Sequence, residues 1–98
     1  MNTNLYKLAS DDKVTLRLMW GGSASDEIPA GNDGVTFRSA ESDNESQFVT
    51  LVCEHKGNKI TGLIEIKDTN IEKSKLISEL NNYKGISVTE LLNSSLNL

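Results

Sequence analysis

The chain has 98 residues, of which 37% are apolar and 24% charged, a balance that suits one modest hydrophobic core and lies far from the charge-rich composition of disordered chains. Ten basic against fourteen acidic residues leave a net charge of -4, which disfavours direct binding to nucleic-acid phosphates and points toward basic partners. No run approaches the roughly 20 apolar residues of a membrane span. Met1 to Ser10 lacks the apolar run of a secretory leader, and the single cysteine, Cys53, leaves no internal disulfide. A single cytoplasmic domain spanning residues 1–98 is therefore expected.

In chain order, Asn4 to Ala9 reads as a weak strand with a short helix as the competing reading, and Ser10-Asp11-Asp12 follows as a turn. Lys13 to Trp20 alternates cleanly. Val14, Leu16, Leu18 and Trp20 fall on one side and Lys13, Thr15, Arg17 and Met19 on the other, the period of a half-buried strand. Gly21 to Asp33 is rich in Gly, Ser and Asp and holds the only proline, Pro29, so it reads as a long loop closing on Gly34. A short strand from Val35 to Ser39 leads into the polar run Ala40 to Ser46.

Gln47 to His55 carries apolar residues at both parities, Phe48 and Val52 on one and Val49, Leu51 and Cys53 on the other, as expected of a central strand covered on both faces. Lys56-Gly57-Asn58 turns the chain into a further strand from Lys59 to Lys67, making a hairpin. The period then lengthens to about 3.6. Ile71, Leu76, Ile77, Leu80 and Tyr83 line one helix face, Thr69 and Glu72 have capping-box spacing, and Gly85 ends the helix. Ser87 and Glu90 repeat the capping signature, with Ile86 placed to staple on Leu91, for a second helix from about Val88 to Leu96.

Strands followed by helices argue for an α+β fold, an antiparallel sheet of about four or five strands with two C-terminal helices packed on one face. If the strands form an up-and-down meander, Asp11, Asp12, Glu41, Asp43 and Glu45 gather at one end of the sheet. Asp26, Glu27 and Asp33 then occupy the other end, beside Lys56 and Lys59. The acidity sits in the first part of the chain, with a net of -5 over residues 1–55 and +1 over 56–98. These eight carboxylates are the expected partner-binding residues.

Catalytic and metal signatures are weak. Glu41, Asp43 and Glu45 alternate without the glycine and the bidentate glutamate of a calcium loop. Cys53 and His55 leave the same strand face about 6.6 Å apart, too far for a thiol and its base, and two ligands fall short of a zinc site. Gly21-Gly22-Ser23-Ala24-Ser25 matches neither a phosphate-binding loop nor a hydrolase elbow. Trp20 has the parity of a core residue, and Lys73, Lys75 and Lys84 read as a solvated helix face. No catalytic residue, metal or cofactor is expected.

The functional expectation is thus a non-catalytic protein-binding domain that docks a basic protein through its acidic loops, as a monomer or weak homodimer. An immunity protein or antitoxin that blocks the basic cleft of a toxin nuclease fits best, because a compact acidic domain competes for a cleft built to hold phosphates. The alternatives are a small enzyme or small-molecule binder that uses residues 21–34 as a lid, with Arg17, Glu54 and His55 as its polar groups, or a subunit of a larger assembly.

Overall fold

A computed structural model describes residues 2–22, 29–44 and 47–98. The first element, β1 (Asn2–Thr3), is followed by α1 (Leu5–Ser10), then β2 (Val14–Gly22), β3 (Thr36–Ser42), β4 (Phe48–His55) and β5 (Asn58–Ile66). Helix α2 (Lys73–Leu80) runs into a short 3₁₀ turn at Asn81–Tyr83, and α3 (Val88–Asn93) and β6 (Leu96–Asn97) complete the chain.

The expected α+β class is what the structure has. Strands β2 to β5 form one four-stranded sheet, with every pair antiparallel. Its helices share one hydrophobic core with the inward side chains of the sheet. Leu5, Leu8, Leu76, Leu80 and Leu91 from the helices and Phe37, Leu51, Ile60 and Ile64 from the sheet are all sealed from solvent. This burial drives the fold at about 25 cal/mol per Å² of apolar surface.

The lateral order differs from a meander. It is β2-β5-β4-β3, so three successive strands lie side by side and β2 closes onto the far one, a Greek-key order. Alternation of direction survives the reordering, so the loops still fall at the ends that a meander gives. The starts of β2 and β4 lie at the lower end and their finishes at the upper end. What changes is lateral distance, because β2 and β3 become opposite edges, about 14 Å apart at 4.8 Å per strand step.

Four further expectations are corrected. Residues 5–10 form a helix and not a strand, because the Asn4 side chain caps it by accepting from the Lys7 amide at 2.7 Å and Leu5 with Leu8 then fall on one buried face. Thr69 and Glu72 make no capping box. The chain instead turns at Asp68, whose carboxylate accepts from the Asn70 amide at 2.9 Å, and α2 begins only at Lys73, with no side chain capping it.

The last helix stops at Asn93, which frees Leu96 and Asn97 to pair with Thr3 and Asn2. Its start is as read, with the Ser87 hydroxyl accepting from the Glu90 amide at 3.1 Å. Finally, β4 is covered on one face only. Phe48, Thr50 and Val52 are half-exposed while Val49, Leu51 and Cys53 are buried, and no described element lies over the first three.

The hairpin between β4 and β5 is present, with His55 opposite Asn58. Lys56 and Gly57 both take positive φ, 51° and 80°, the type I′ geometry that matches strand twist. Two irregularities bend the sheet, one between Phe37 and Ser39 in β3 and one between Arg17 and Gly21 in β2. The first switches parity, so Ala40 is buried where strict alternation buries Ser39.

The two edges are unlike. Along β3, the Val88 amide donates to the Val35 carbonyl at 2.9 Å, the Phe37 amide to Ile86 at 2.8 Å, and the Gly85 amide to Phe37 at 2.8 Å. Asn81 continues the closure, accepting from the Ala40 amide at 2.8 Å and donating to its carbonyl at 3.0 Å. Beyond β2 no strand follows among the described residues.

Candidate functional site

The outward face of the sheet is a grid set by the strand registers. From β2 to β4, Thr15, Glu65 and Phe48 form its lowest row. Arg17, Leu63, Thr50 and Glu41 form the next, Thr61, Val52 and Ser39 the third, and Lys59, Glu54 and Thr36 the uppermost. Phe48, Leu63 and Val52 make a half-exposed apolar centre, and Met19 stands 89% exposed on β2 beside it.

Charged groups frame this centre in pairs. Arg17 donates to Glu65 at 2.6 Å and lays its guanidinium 5.7 Å from the Phe48 ring, a cation–π contact. Arg38 reaches Glu54 at 2.8 and 3.5 Å. An apolar centre with a polar rim is the anatomy of a protein-binding surface.

The expected partner-binding carboxylates separate into groups. Asp11 and Asp12 lie at the lower end on the β2 side, Glu41 and Asp43 at the lower end on the β3 side, and Asp33 at the upper end. Asp26, Glu27 and Glu45 lie outside the described residues.

The lysines of the more basic C-terminal part of the chain come to the same lower end. Lys67 pairs with Asp12 at 2.6 Å, and Lys73 donates to the Asp43 carbonyl at 2.8 Å. Lys7 meets Asp11 at 3.3 Å. The first part of the chain is therefore not a separate acidic surface. Glu41 is exposed and accepts from the Ser39 hydroxyl at 3.1 Å.

Neither a family model nor a curated protein nor a solved structure matches the chain. Its own residues therefore carry the functional reading.

Cys53 is fully buried among the core residues, and burial pushes its thiol up to about 12 against a backbone hydrogen bond that acts the other way. Such a thiol is protonated at neutral pH, the opposite of the lowered pKa that activates a cysteine nucleophile. His55, two residues on, ends β4 beside Gly34. Among the described residues, no three His, Cys, Asp or Glu side chains come together as a metal site.

A linkage prediction follows from Cys53. Its folded pKa lies above the unfolded value near 9.0, so its contribution is fully present below pH 9. Between pH 9 and about 12 the unfolded chain loses a proton that the folded one keeps, and stability falls. Cys53→Ala removes the thiol's share of that fall, read from urea unfolding across this range.

Among the described residues, clefts of about 390 and 280 Å³ are found. Both lie around Asp68 and Ile71 at the lower end, the larger reaching Leu8, Lys13, Glu72 and Lys75. They are a full strand, about 27 Å, from the upper end, where Pro29 to Gly34 and the end of β2 lie. The polar groups considered for an enzyme do not converge either, since Arg17 belongs to the lower part of the outward face, paired with Glu65, and Glu54 to its upper row, paired with Arg38.

Among the residues sequence reasoning missed are Asn81, Leu63 and Thr61. Leu63 and Thr61 were visible as the outward parity of an alternating strand. What could not be seen was that nothing described covers them.

Proposed function

We propose that this chain is a non-catalytic protein-binding domain for a basic protein, acting as an immunity protein or antitoxin toward a toxin nuclease. The observation that supports it best is the outward sheet face, over which no described element lies, where Phe48, Val52 and Leu63 sit within a rim of charged pairs beside the exposed carboxylate of Glu41. A basic partner seated there buries the apolar centre and meets Glu41 at its edge, with Asp43 beside it. Net charge of -4 steers such a partner in and raises the association rate. Asp11 and Asp12 contribute less, because lysines already neutralise them in part.

The test is binding to the product of the neighbouring gene, expected to carry a basic nuclease domain, by calorimetry and stopped flow. Combined Glu41→Lys and Asp43→Lys replacement weakens affinity about tenfold or more, chiefly through association, and raising salt from about 0.05 to 0.5 M does likewise. Asp11→Lys with Asp12→Lys has a smaller effect. Affinity indifferent to salt and to the first pair of reversals rejects the electrostatic docking.

A further inference from the structure

An open strand edge presents backbone donors and acceptors that a second strand can satisfy. In this sheet the β3 edge is already met by residues 85–88 and by the Asn81 amide, which leaves β2 as the edge without a neighbour among the described residues. Direction along β2 is set by its start. The Lys13 carbonyl accepts from the Lys67 and Asp68 amides at 2.9 and 3.1 Å, so Lys13, Thr15 and Arg17 turn their backbone groups toward β5. Val14, Leu16 and Leu18 turn theirs outward, because these groups alternate along a strand.

We infer that a second copy of this chain pairs with β2 in antiparallel register, with Leu16 on the two-fold axis, joining two four-stranded sheets into one of eight strands. Charge selects this register from the three centred on Thr15, Leu16 or Arg17, in the part of β2 that precedes its irregularity between Arg17 and Gly21. Centring the axis on Thr15 sets Lys13 opposite Arg17 of the second copy. Centring it on Arg17 sets two arginines face to face. Only the Leu16 axis avoids both, placing Arg17 opposite Thr15, Val14 opposite Leu18, and Lys13 opposite Met19 of the second copy.

Leu16 and Leu18, half-exposed at the margin of the core, then cover each other across the joint, and Met19 loses part of its exposure. Because each copy spends the edge of its four-stranded sheet that is open among the described residues, the assembly closes at two and does not grow into a fibre. Five residues of pairing make a small interface, and the association is correspondingly weak. This pairing does not depend on what the chain binds elsewhere.

Sedimentation velocity on the full chain, from about 10 μM to 1 mM, tests it with Met19→Glu and Met19→Lys. Met19 is 89% exposed, so both variants keep the fold. Opposite Lys13 of the second copy, glutamate tightens the dimer several-fold and lysine loosens it by a similar factor. General repulsion between acidic chains predicts the reverse order, so the sign is diagnostic. A chain that stays monomeric throughout, or variants that respond alike or in the reverse sense, overturn the proposal. Leu16→Cys, oxidised with glutathione disulfide, forms a covalent dimer, since facing residues on such an axis are about 5.5 Å apart between Cα atoms. A dimer that leaves this thiol uncrosslinked overturns the register.

Discussion

Trp20→Ala lowers the free energy of unfolding by about 3–5 kcal/mol, the range for removing a large buried aromatic. Trp20 is only 6% exposed and serves two purposes. Its ring lies over Gly62, so near that a methyl group at that position would stand 3.0 Å from the ring edge and 3.2 Å from Leu18. Its Nε1–H donates to the Gly31 carbonyl at 2.9 Å, fastening the crossing loop to the top of the sheet.

The two parts separate by substitution. Trp20→Phe keeps most of the ring and costs about 1–2 kcal/mol, for the lost hydrogen bond and the smaller area. Gly62→Ala costs about 1–3 kcal/mol by crowding, and that cost shrinks when combined with Trp20→Ala, since the ring is gone and only the Leu18 contact remains. Urea unfolding of the four-member cycle measures this coupling. Additive effects show that Trp20 and Gly62 are not in the contact described.

Asn81→Leu lowers stability by about 2–3 kcal/mol, a large effect for a residue outside the hydrophobic core. Its side chain meets both backbone groups of Ala40, as a neighbouring strand does. Leucine leaves a partly buried donor and acceptor unmet, and each lost hydrogen bond costs about 1–1.5 kcal/mol. Asn81→Asp retains the acceptor and falls between. The edge of β3 is also opened at its middle, so Asn81→Leu gains association beyond two copies, read as heavier species in sedimentation. A variant as stable as the parent shows that the amide does not close the edge.

Much of the fold was readable because local signals agreed. Val14 to Trp20 alternates with one apolar side, and that side is turned to the core. Lys56-Gly57 supplies the turn that hairpin twist needs. Ser87 with Glu90 starts a helix where a hydroxyl can hold a free amide. Failures came where two local signals competed. Asn4 to Ala9 is too short for period two and period 3.6 to be told apart, and the Asn4 cap decides it. Thr69 and Glu72 have the spacing of a cap, yet Asp68 captures the Asn70 amide first and delays the helix.

The candidate site was less readable, because a surface is made by neighbours distant in sequence. Parity put Phe48, Val52 and Leu63 together on one side of their strands, but apolar residues at both parities of β4 equally suit a strand buried on both faces. Charge misled in a similar way. The division into an acidic first part and a faintly basic second part is real in the sequence, yet folding brings Lys67 to the Asp12 carboxylate and Lys73 to the Asp43 carbonyl, with Glu41 an exposed carboxylate of that edge.

By itself, the sequence determined the element types over most of the chain, which side of each strand is apolar, the hairpin, the burial of Trp20 and Cys53, and the acidic balance, because these depend on periods and compositions within a few residues. Only the tertiary structure decided that β2 pairs with β5, that Asn81 closes one edge while no described strand meets the other, and that the outward sheet face has no described layer above it. Strand neighbours and surface charge pairs are chosen by contacts across the whole chain, where many arrangements share the same local pattern and the total burial selects among them.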